Sequence, residues 1–156
     1  RGQVPDDTKF LVVETDGIGA EHPLSGEKLS RVAALYRAQD YKGALAIAER
    51  ILTYQGGGHS IGIHTADDAR AVALGAAMPT CRVIVNQAHT FATGGSFSNG
   101  MSFSLSMGCG SWGGNSIDEN LHWKHFIQST KIIREIPTKE PALKDVFGGY
   151  WTEAGK

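Results

Sequence analysis

Apolar positions along this chain fall into two kinds of block that alternate. Phe10-Leu11-Val12-Val13-Glu14, Val32-Ala33-Ala34-Leu35-Tyr36, Ser60-Ile61-Gly62-Ile63-His64 and Arg82-Val83-Ile84-Val85-Asn86 are short runs rich in β-formers and read as buried strands. After Asp40, a natural N-cap, Tyr41, Ala44, Leu45, Ala48, Ile51 and Leu52 recur at helical spacing until Gly56-Gly57-Gly58 stops them. A second helical face, Ala69, Val72, Ala73, Ala76 and Ala77, follows a cap at Thr65 or Asp67 and ends at Pro79. From residue 32 the order is strand, helix, strand, helix, strand, with near-continuous apolar strands. That order predicts an α/β fold: a parallel sheet with right-handed crossovers and helices on its faces.

Beyond Asn86 the periodicity fades. Gln87 to Ser116 is a long loop, and loops of that length inside a domain are usually functional when ordered. Asn120 to Gln128 fits a short helix with Leu121, Trp123 and Phe126 inward. Thr130 to Ile136 reads as a strand outside the parallel core, suited to pairing with another subunit, and Pro137 ends it. In the tail only a turn around Leu143 to Phe147 is expected, because Pro141 and Gly148-Gly149 disfavour more.

Composition narrows the function classes. The 156 residues, 41% hydrophobic and 20% charged, suit one globular domain. A net charge of −1 gives no electrostatic case for nucleic acid or an anionic membrane surface. No apolar run approaches the roughly 20 residues that span a bilayer, and no signal-peptide pattern is visible. The two cysteines, Cys81 and Cys109, match neither a disulfide framework nor a zinc spacing, so a reducing cytoplasm is expected. The first residue is Arg1, not Met, which suggests a piece of something longer.

The most tempting chemistry is Cys109, set in Met107-Gly108-Cys109-Gly110-Ser111-Trp112-Gly113-Gly114-Asn115-Ser116. A reactive thiol wants a helix N-terminus or a cation beside it, and no sequence neighbour supplies one. Burial as a small apolar group is the competing role for Cys109 and for Cys81. Gly108 to Gly113 also matches GxGxxG, but it follows no convincing strand and opens no clear helix. Among the histidines, His59 opens a strand, His64 closes it and His89 heads the long loop. Each could move protons, and each could equally be a hydrogen-bonded structural residue. His122 and His125 lie three apart with no evident carboxylate partner and read as a surface face. Glu27, between a glycine loop and a strand, could accept both hydroxyls of a ribose or simply stand in solvent.

Four motifs in fixed order go further. Glu27-Lys28-Leu29-Ser30, Gly58-His59-Ser60, Cys81-Arg82-Val83-Ile84-Val85-Asn86 and Leu105 to Ser116 resemble the CoA-acylating branch of the aldehyde dehydrogenase superfamily, including the aldehyde dehydrogenase half of bifunctional aldehyde–alcohol dehydrogenases. Asn86 to Gly95 looks most like its sulfoacetaldehyde and succinate-semialdehyde members.

The resemblance implies an enzyme that oxidises a small aldehyde to an acyl-CoA thioester with NAD or NADP, with coenzyme A as co-substrate. Its nucleophilic cysteine and cofactor domain precede the region matched here. Residues 1–128 would be the C-terminal part of the catalytic α/β domain, and 129–156 the oligomerisation strand and tail of a homo-oligomer. Glu27 matches the residue that reaches the nicotinamide ribose. Leu29 matches an apolar residue beside the nicotinamide, where the wider superfamily has an aromatic. His59 matches an active-site histidine suited to taking the CoA thiol proton. Asn86, Gln87 and His89 would wall the aldehyde pocket. One tension stands: His59 lies at a strand entrance, whereas ligands of open α/β sheets gather at strand exits. Two rival readings are a non-enzymatic module that docks on a partner, and a Cys–His hydrolase using Cys109.

Overall fold

A computed structural model describes residues 4–155. The chain divides into two compact units, 1–126 and 127–156. In the first, strands β1 (Leu11–Glu14) and β2 (Val32–Leu35) pair in parallel, Leu11 beside Val32. Helix α1 (Tyr41–Gln55) follows, then β3 (Ile61–Ile63), α2 (Asp68–Ala77) and β4 (Val83–Val85). Strands β3 and β4 are parallel neighbours, Ile61 beside Val83, with α2 as their crossover.

The caps explain why the two helices begin where they do. Asp40 accepts the Gly43 N–H at 2.7 Å, and Asp67 accepts that of Ala69 at 3.0 Å. Thr65 is used as well, its hydroxyl accepting the Asp67 N–H at 3.0 Å.

The strand pairing is parallel, as the pattern predicts, but the sheet is split. Among the described residues the two pairs form separate two-stranded sheets, and β2 does not hydrogen-bond to β3. A crossover helix fixes the direction of the next strand but not whether that strand lies alongside the previous one, so the split has no local signature.

The core has an unusual balance. Leu74, Met78, Ile84 and Ala92 are its buried apolar residues, against five buried polar ones: Ser25, Thr80, Arg82, Thr93 and Asn120. The apolar stripe of α1 buries no residue fully. Leu29, Val72, Phe91, Phe97, Leu105 and Trp123 are all exposed. So much uncovered apolar surface is far from typical of a self-sufficient monomer.

The long loop is less irregular than its sequence suggests. It opens with a short helix, α3 (His89–Thr93), and holds a 3₁₀ turn at Ser111–Gly113. The expected helix at 120–128 contracts to a 3₁₀ turn, Trp123–Phe126.

In the second unit, Thr130 to Ile136 forms no strand, and Ile132, Ile133 and Ile136 are exposed. The oligomerisation strand expected there is therefore not formed within this chain, since a strand needs a neighbouring edge to accept its hydrogen bonds. Conversely, the tail carries a full helix, α4 (Leu143–Glu153), where only a turn was expected. Two glycines in a helix are unfavourable by about 1 kcal/mol each. Phe147 and Trp151, one turn apart with ring centroids at 5.9 Å, supply a contact that offsets part of this.

Candidate functional site

The site is built where β3 begins. Gly58 is held in the left-handed region at φ 111°, and its N–H and C=O bond to Pro79 and Cys81 at 2.7 and 2.8 Å. A Cβ at Gly58 would collide with the Cys109 carbonyl, so only glycine lets the 109 turn close over this strand entrance. His59 and Ser60 follow at once.

His59 Nδ1 lies 2.6 Å from the Ser60 hydroxyl, and the same hydroxyl lies 2.8 Å from His89 Nε2. A serine hydroxyl has one proton to donate and lone pairs to accept with. It can therefore donate to one ring while accepting from the other, which makes the three groups a continuous proton path. Burial, reinforced by the neighbouring His59, lowers the His89 pKa below the ordinary histidine value. The ring is thus kept neutral at pH 7, able to donate on one nitrogen and accept on the other.

His59 does lie at the strand entrance, and a residue from an exit loop reaches it there. His89 belongs to the segment leaving the exit of β4, yet its ring reaches Ser60 at the entrance of β3. It passes across β3 at Gly62, where a Cβ would stand 2.7 Å from His89 Nδ1. The absence of a side chain at Gly62 lets an exit loop meet an entrance residue.

The other expected site residues are arranged differently. Asn86 sits at φ 53°, and its amide is spent on Thr65: Oδ1 accepts the Thr65 N–H at 2.8 Å, and Nδ2 donates to the Thr65 carbonyl at 2.7 Å. It ties the exits of β3 and β4 together. Gln87 Oε1 accepts from Asn99 at 3.1 Å, and Gln87 lines a hollow of about 210 Å³ with Ala88, Phe91, Ala92, Ser96 and Ser98. Glu27 is bound through its backbone, whose N–H donates to Gln55 Oε1 at 2.7 Å. Its carboxylate makes no hydrogen bond or ion pair among the described residues. Leu29 is 90% exposed at φ 42°. A β-region backbone would be easier for leucine, so an apolar side chain is being held outward under strain. Among the described residues no hydrogen bond joins Glu27 or Leu29 to the histidine line.

A nicotinamide cofactor fits these two residues chemically: Glu27 offers an uncommitted pair of acceptors for ribose hydroxyls, and Leu29 an exposed apolar cap.

Sequence reasoning missed the group that holds the site in place. Arg82 is buried, and its guanidinium donates from Nε to Asn120 Oδ1 at 3.1 Å and from Nη1 to the carbonyls of Gly108 and His59 at 2.9 and 3.2 Å. Its Nη2 is buried with no partner among the described residues. Asn120 in turn donates to the Thr93 and Ser102 carbonyls at 2.8 and 2.9 Å. One buried hub thus fixes His59, the glycine-rich turn and the end of α3. The visible signal was an arginine at the head of the apolar run Val83-Ile84-Val85.

Both cysteines are free and half-buried. Burial pushes the Cys81 thiol up, Asp118 and Cys109 add to this, and Arg82 opposes it. Cys109 is fixed by its backbone: its N–H donates to Asn115 Oδ1 at 2.8 Å and its carbonyl accepts from Gly113. Among the described residues no histidine hydrogen-bonds its sulfur, which leaves a hydrolase reading without its base. Cys109→Ala is expected to leave turnover of the intact protein within about twofold and to lower its stability by about 1 kcal/mol or less, as a small side-chain change away from a packed core should. Steady-state rates and a melting curve check this. Finally, His122 and His125 do have a carboxylate partner, contrary to the sequence reading: both face Glu119, at 3.3 and 3.2 Å.

No family model matches the chain. Known proteins do. It is 47% identical over 94% of its length to a sulfoacetaldehyde dehydrogenase (acylating) from Cupriavidus necator, and 37% identical over 94% of its length to a succinate-semialdehyde dehydrogenase (acetylating) from Clostridium kluyveri. The fold superposes on the crystal structure of an acetylating aldehyde dehydrogenase from Geobacillus thermoglucosidasius with a TM-score of 0.77 and 34% identity, over 88% of this chain. In sequence and in fold, then, the chain is homologous to acylating aldehyde dehydrogenases. It corresponds to a segment of one, spanning 30% of the Cupriavidus protein, 32% of the Clostridium protein and 31% of the Geobacillus chain.

Proposed function

We propose that this chain is the part of a CoA-acylating aldehyde dehydrogenase that completes the cofactor site and moves the thiol proton. The observation that carries the reading is the His59–Ser60–His89 line, set in a chain homologous to acylating enzymes. The reaction needs a cysteine thiolate to attack the aldehyde, a nicotinamide to accept hydride from the resulting adduct, and coenzyme A to release the acyl group as a thioester. In this reading the nucleophile and most of the NAD(P) site lie in the remainder of the enzyme, and neither Cys81 nor Cys109 attacks the substrate.

The chain's own residues have definite tasks. His59 takes the proton of the CoA thiol, so that the thiolate attacks the acyl group. Ser60 passes that proton to neutral His89, and the path returns it to solvent. The Glu27 carboxylate accepts hydroxyl protons of the nicotinamide ribose, and Leu29 packs beside the ring. Gln87, with Phe91, borders the aldehyde, while Asn86 holds the exit from which that wall starts. Thr130 to Ile136 becomes a strand when a second copy provides an edge, so that 129–156 acts as the oligomerisation segment after a catalytic portion ending near 128. The half-buried apolar face of α1, with exposed Phe91 on α3 and Phe97, Phe103 and Leu105 in the loop beyond it, suits burial against the rest of the enzyme. Among the described residues no helix is long and apolar enough to cross a membrane.

The identities to sulfoacetaldehyde dehydrogenases make sulfoacetaldehyde the aldehyde to assay first. The intact protein is expected to form an acyl-CoA thioester from a short aldehyde with stoichiometric reduction of NAD or NADP, and residues 1–156 alone are expected to form none. Thioester formation by the isolated segment, or sustained NAD(P) reduction by the intact protein over many turnovers without CoA, would overturn the proposal. The exposed apolar surface also fits a docking module without catalysis. Such a module would show neither activity in the intact protein.

A further inference from the structure

The histidines outside the proton path form a second constellation. Glu119, His122 and His125 bring three ligand-type atoms within 4.8 Å of one another. Both imidazole Nε2 atoms address one oxygen, Glu119 Oε1, at 3.3 and 3.2 Å. The carboxylate is half exposed, whereas the two histidine side chains are 16 and 15% exposed. The set therefore opens to solvent on the carboxylate side and is closed behind.

Three features point to a cation at the centre of this set. The first is spacing. Ligand atoms at 2.0–2.1 Å from a tetrahedral divalent ion lie roughly 3.3–3.4 Å from each other. The two nitrogen–oxygen distances match that edge and exceed the roughly 2.7–2.9 Å of a charge-assisted hydrogen bond. The second is lone-pair direction. His125 Nδ1 lies 3.1 Å from the His122 carbonyl and 3.0 Å from the His122 N–H. In the tautomer with Nδ1–H toward the carbonyl, Nε2 turns a lone pair toward Glu119, the orientation a cation needs; with no ion bound, the other tautomer, Nδ1 accepting the His122 N–H and Nε2–H donating to Glu119, satisfies the same contacts. An Nδ1–H bonded to a backbone carbonyl is also the usual support of a metal-bound imidazole. The third is rigidity. The backbone bearing the ligands is anchored by Gly108 N–H to Glu119 C=O at 3.0 Å and Leu121 N–H to Ser106 C=O at 2.8 Å, with buried Asn120 between them. The set is thus held in place before any ion arrives.

We propose that Glu119, His122 and His125 form a binding site for a first-row divalent cation of the zinc type, separate from the dehydrogenase chemistry. The donor set is two nitrogens and one oxygen, which suits zinc, and a tetrahedral ion would keep its fourth position for water or an incoming ligand. Bound there, the ion ties the 119–125 segment to itself directly beside the strand bridge Met107–Asn120 that braces the glycine-rich turn.

Cobalt(II) tests this, because its visible absorption reports tetrahedral coordination. The intact protein, stripped with chelator, is expected to take up one equivalent of cobalt with intense visible bands and no sulfur-to-cobalt charge-transfer band. Zinc should displace it and raise the melting temperature. His122→Asn and Glu119→Gln should each weaken binding by at least the roughly 10–100-fold that loss of a mere supporting residue produces. Their melting curves in chelator should match the parent protein, so that lost binding cannot be lost fold. Three results would each overturn the site: no stoichiometric uptake by the parent protein, cobalt binding undiminished in both variants, or a thiolate band showing that a cysteine holds the metal.

Discussion

Arg82→Met is expected to lower the melting temperature of the intact protein more than any single exchange of a surface residue, by a loss of about 3 kcal/mol. Two opposed effects set the size of this loss. The guanidinium serves Asn120 Oδ1 and the carbonyls of Gly108 and His59, and methionine can serve none of them. Each buried acceptor left without a donor costs about 1–3 kcal/mol. Against this, a buried cation is removed whose Nη2 has no partner among the described residues, and burying a charge costs several kcal/mol. The three orphaned acceptors outweigh the relief, because methionine fills similar volume but leaves them inside. Arg82→Lys separates the causes. It keeps the charge but not the planar fork that spans three acceptors, so it should recover little. Thermal unfolding of the parent and both variants decides the matter. A methionine variant as stable as the parent would mean that the hub is dispensable and that His59 is positioned by something else.

That hub marks the boundary of what the sequence makes legible. Helices α1 and α2 were readable to within a residue or two, because their information is local: Asp40 and Asp67 cap them, and the spacing of Tyr41 to Leu52 declares the helical period. The strands were readable as elements for the same reason. Their arrangement was not, since whether β2 lies beside β3 depends on chain that is distant in sequence or outside these residues. The histidine line falls between these cases. His59 and His89 were singled out separately, by family resemblance and by position, but Ser60 as the bridge, and Gly62 as the gap that lets His89 cross, exist only in three dimensions. Glu119 was overlooked as a partner for His122 and His125 because it lies one residue before the helix expected to begin at Asn120. The chain instead makes a 3₁₀ turn that gathers both rings toward one oxygen. Helix α4 was missed for the opposite reason. The local signal of Gly148-Gly149 is unfavourable, and the Phe147–Trp151 contact that offsets part of it is not declared by the glycines.

His59→Gln is expected to slow CoA-dependent thioester release by about 10²- to 10⁴-fold, the range typical of a removed general base. The first half-reaction should survive. Aldehyde addition and hydride transfer need no proton from the CoA thiol, so a single burst of reduced nicotinamide should appear at near the parental rate and then stall. Glutamine keeps a polar side chain of similar length, and the backbone carbonyl of residue 59 still accepts from Arg82, so the fold should be retained. Ser60→Ala gives the sharper reading of the path. It removes the hydroxyl lying 2.6 Å from His59 and 2.8 Å from His89 while leaving both rings in place. A relay predicts that the release step slows in this variant without change in the burst, and that raising the concentration of a small buffer base partly restores it. A serine that merely positions His59 predicts a higher KM for CoA and no buffer rescue. Loss of the burst itself in His59→Gln would place the histidine in the aldehyde half-reaction and sink its assignment to the CoA thiol.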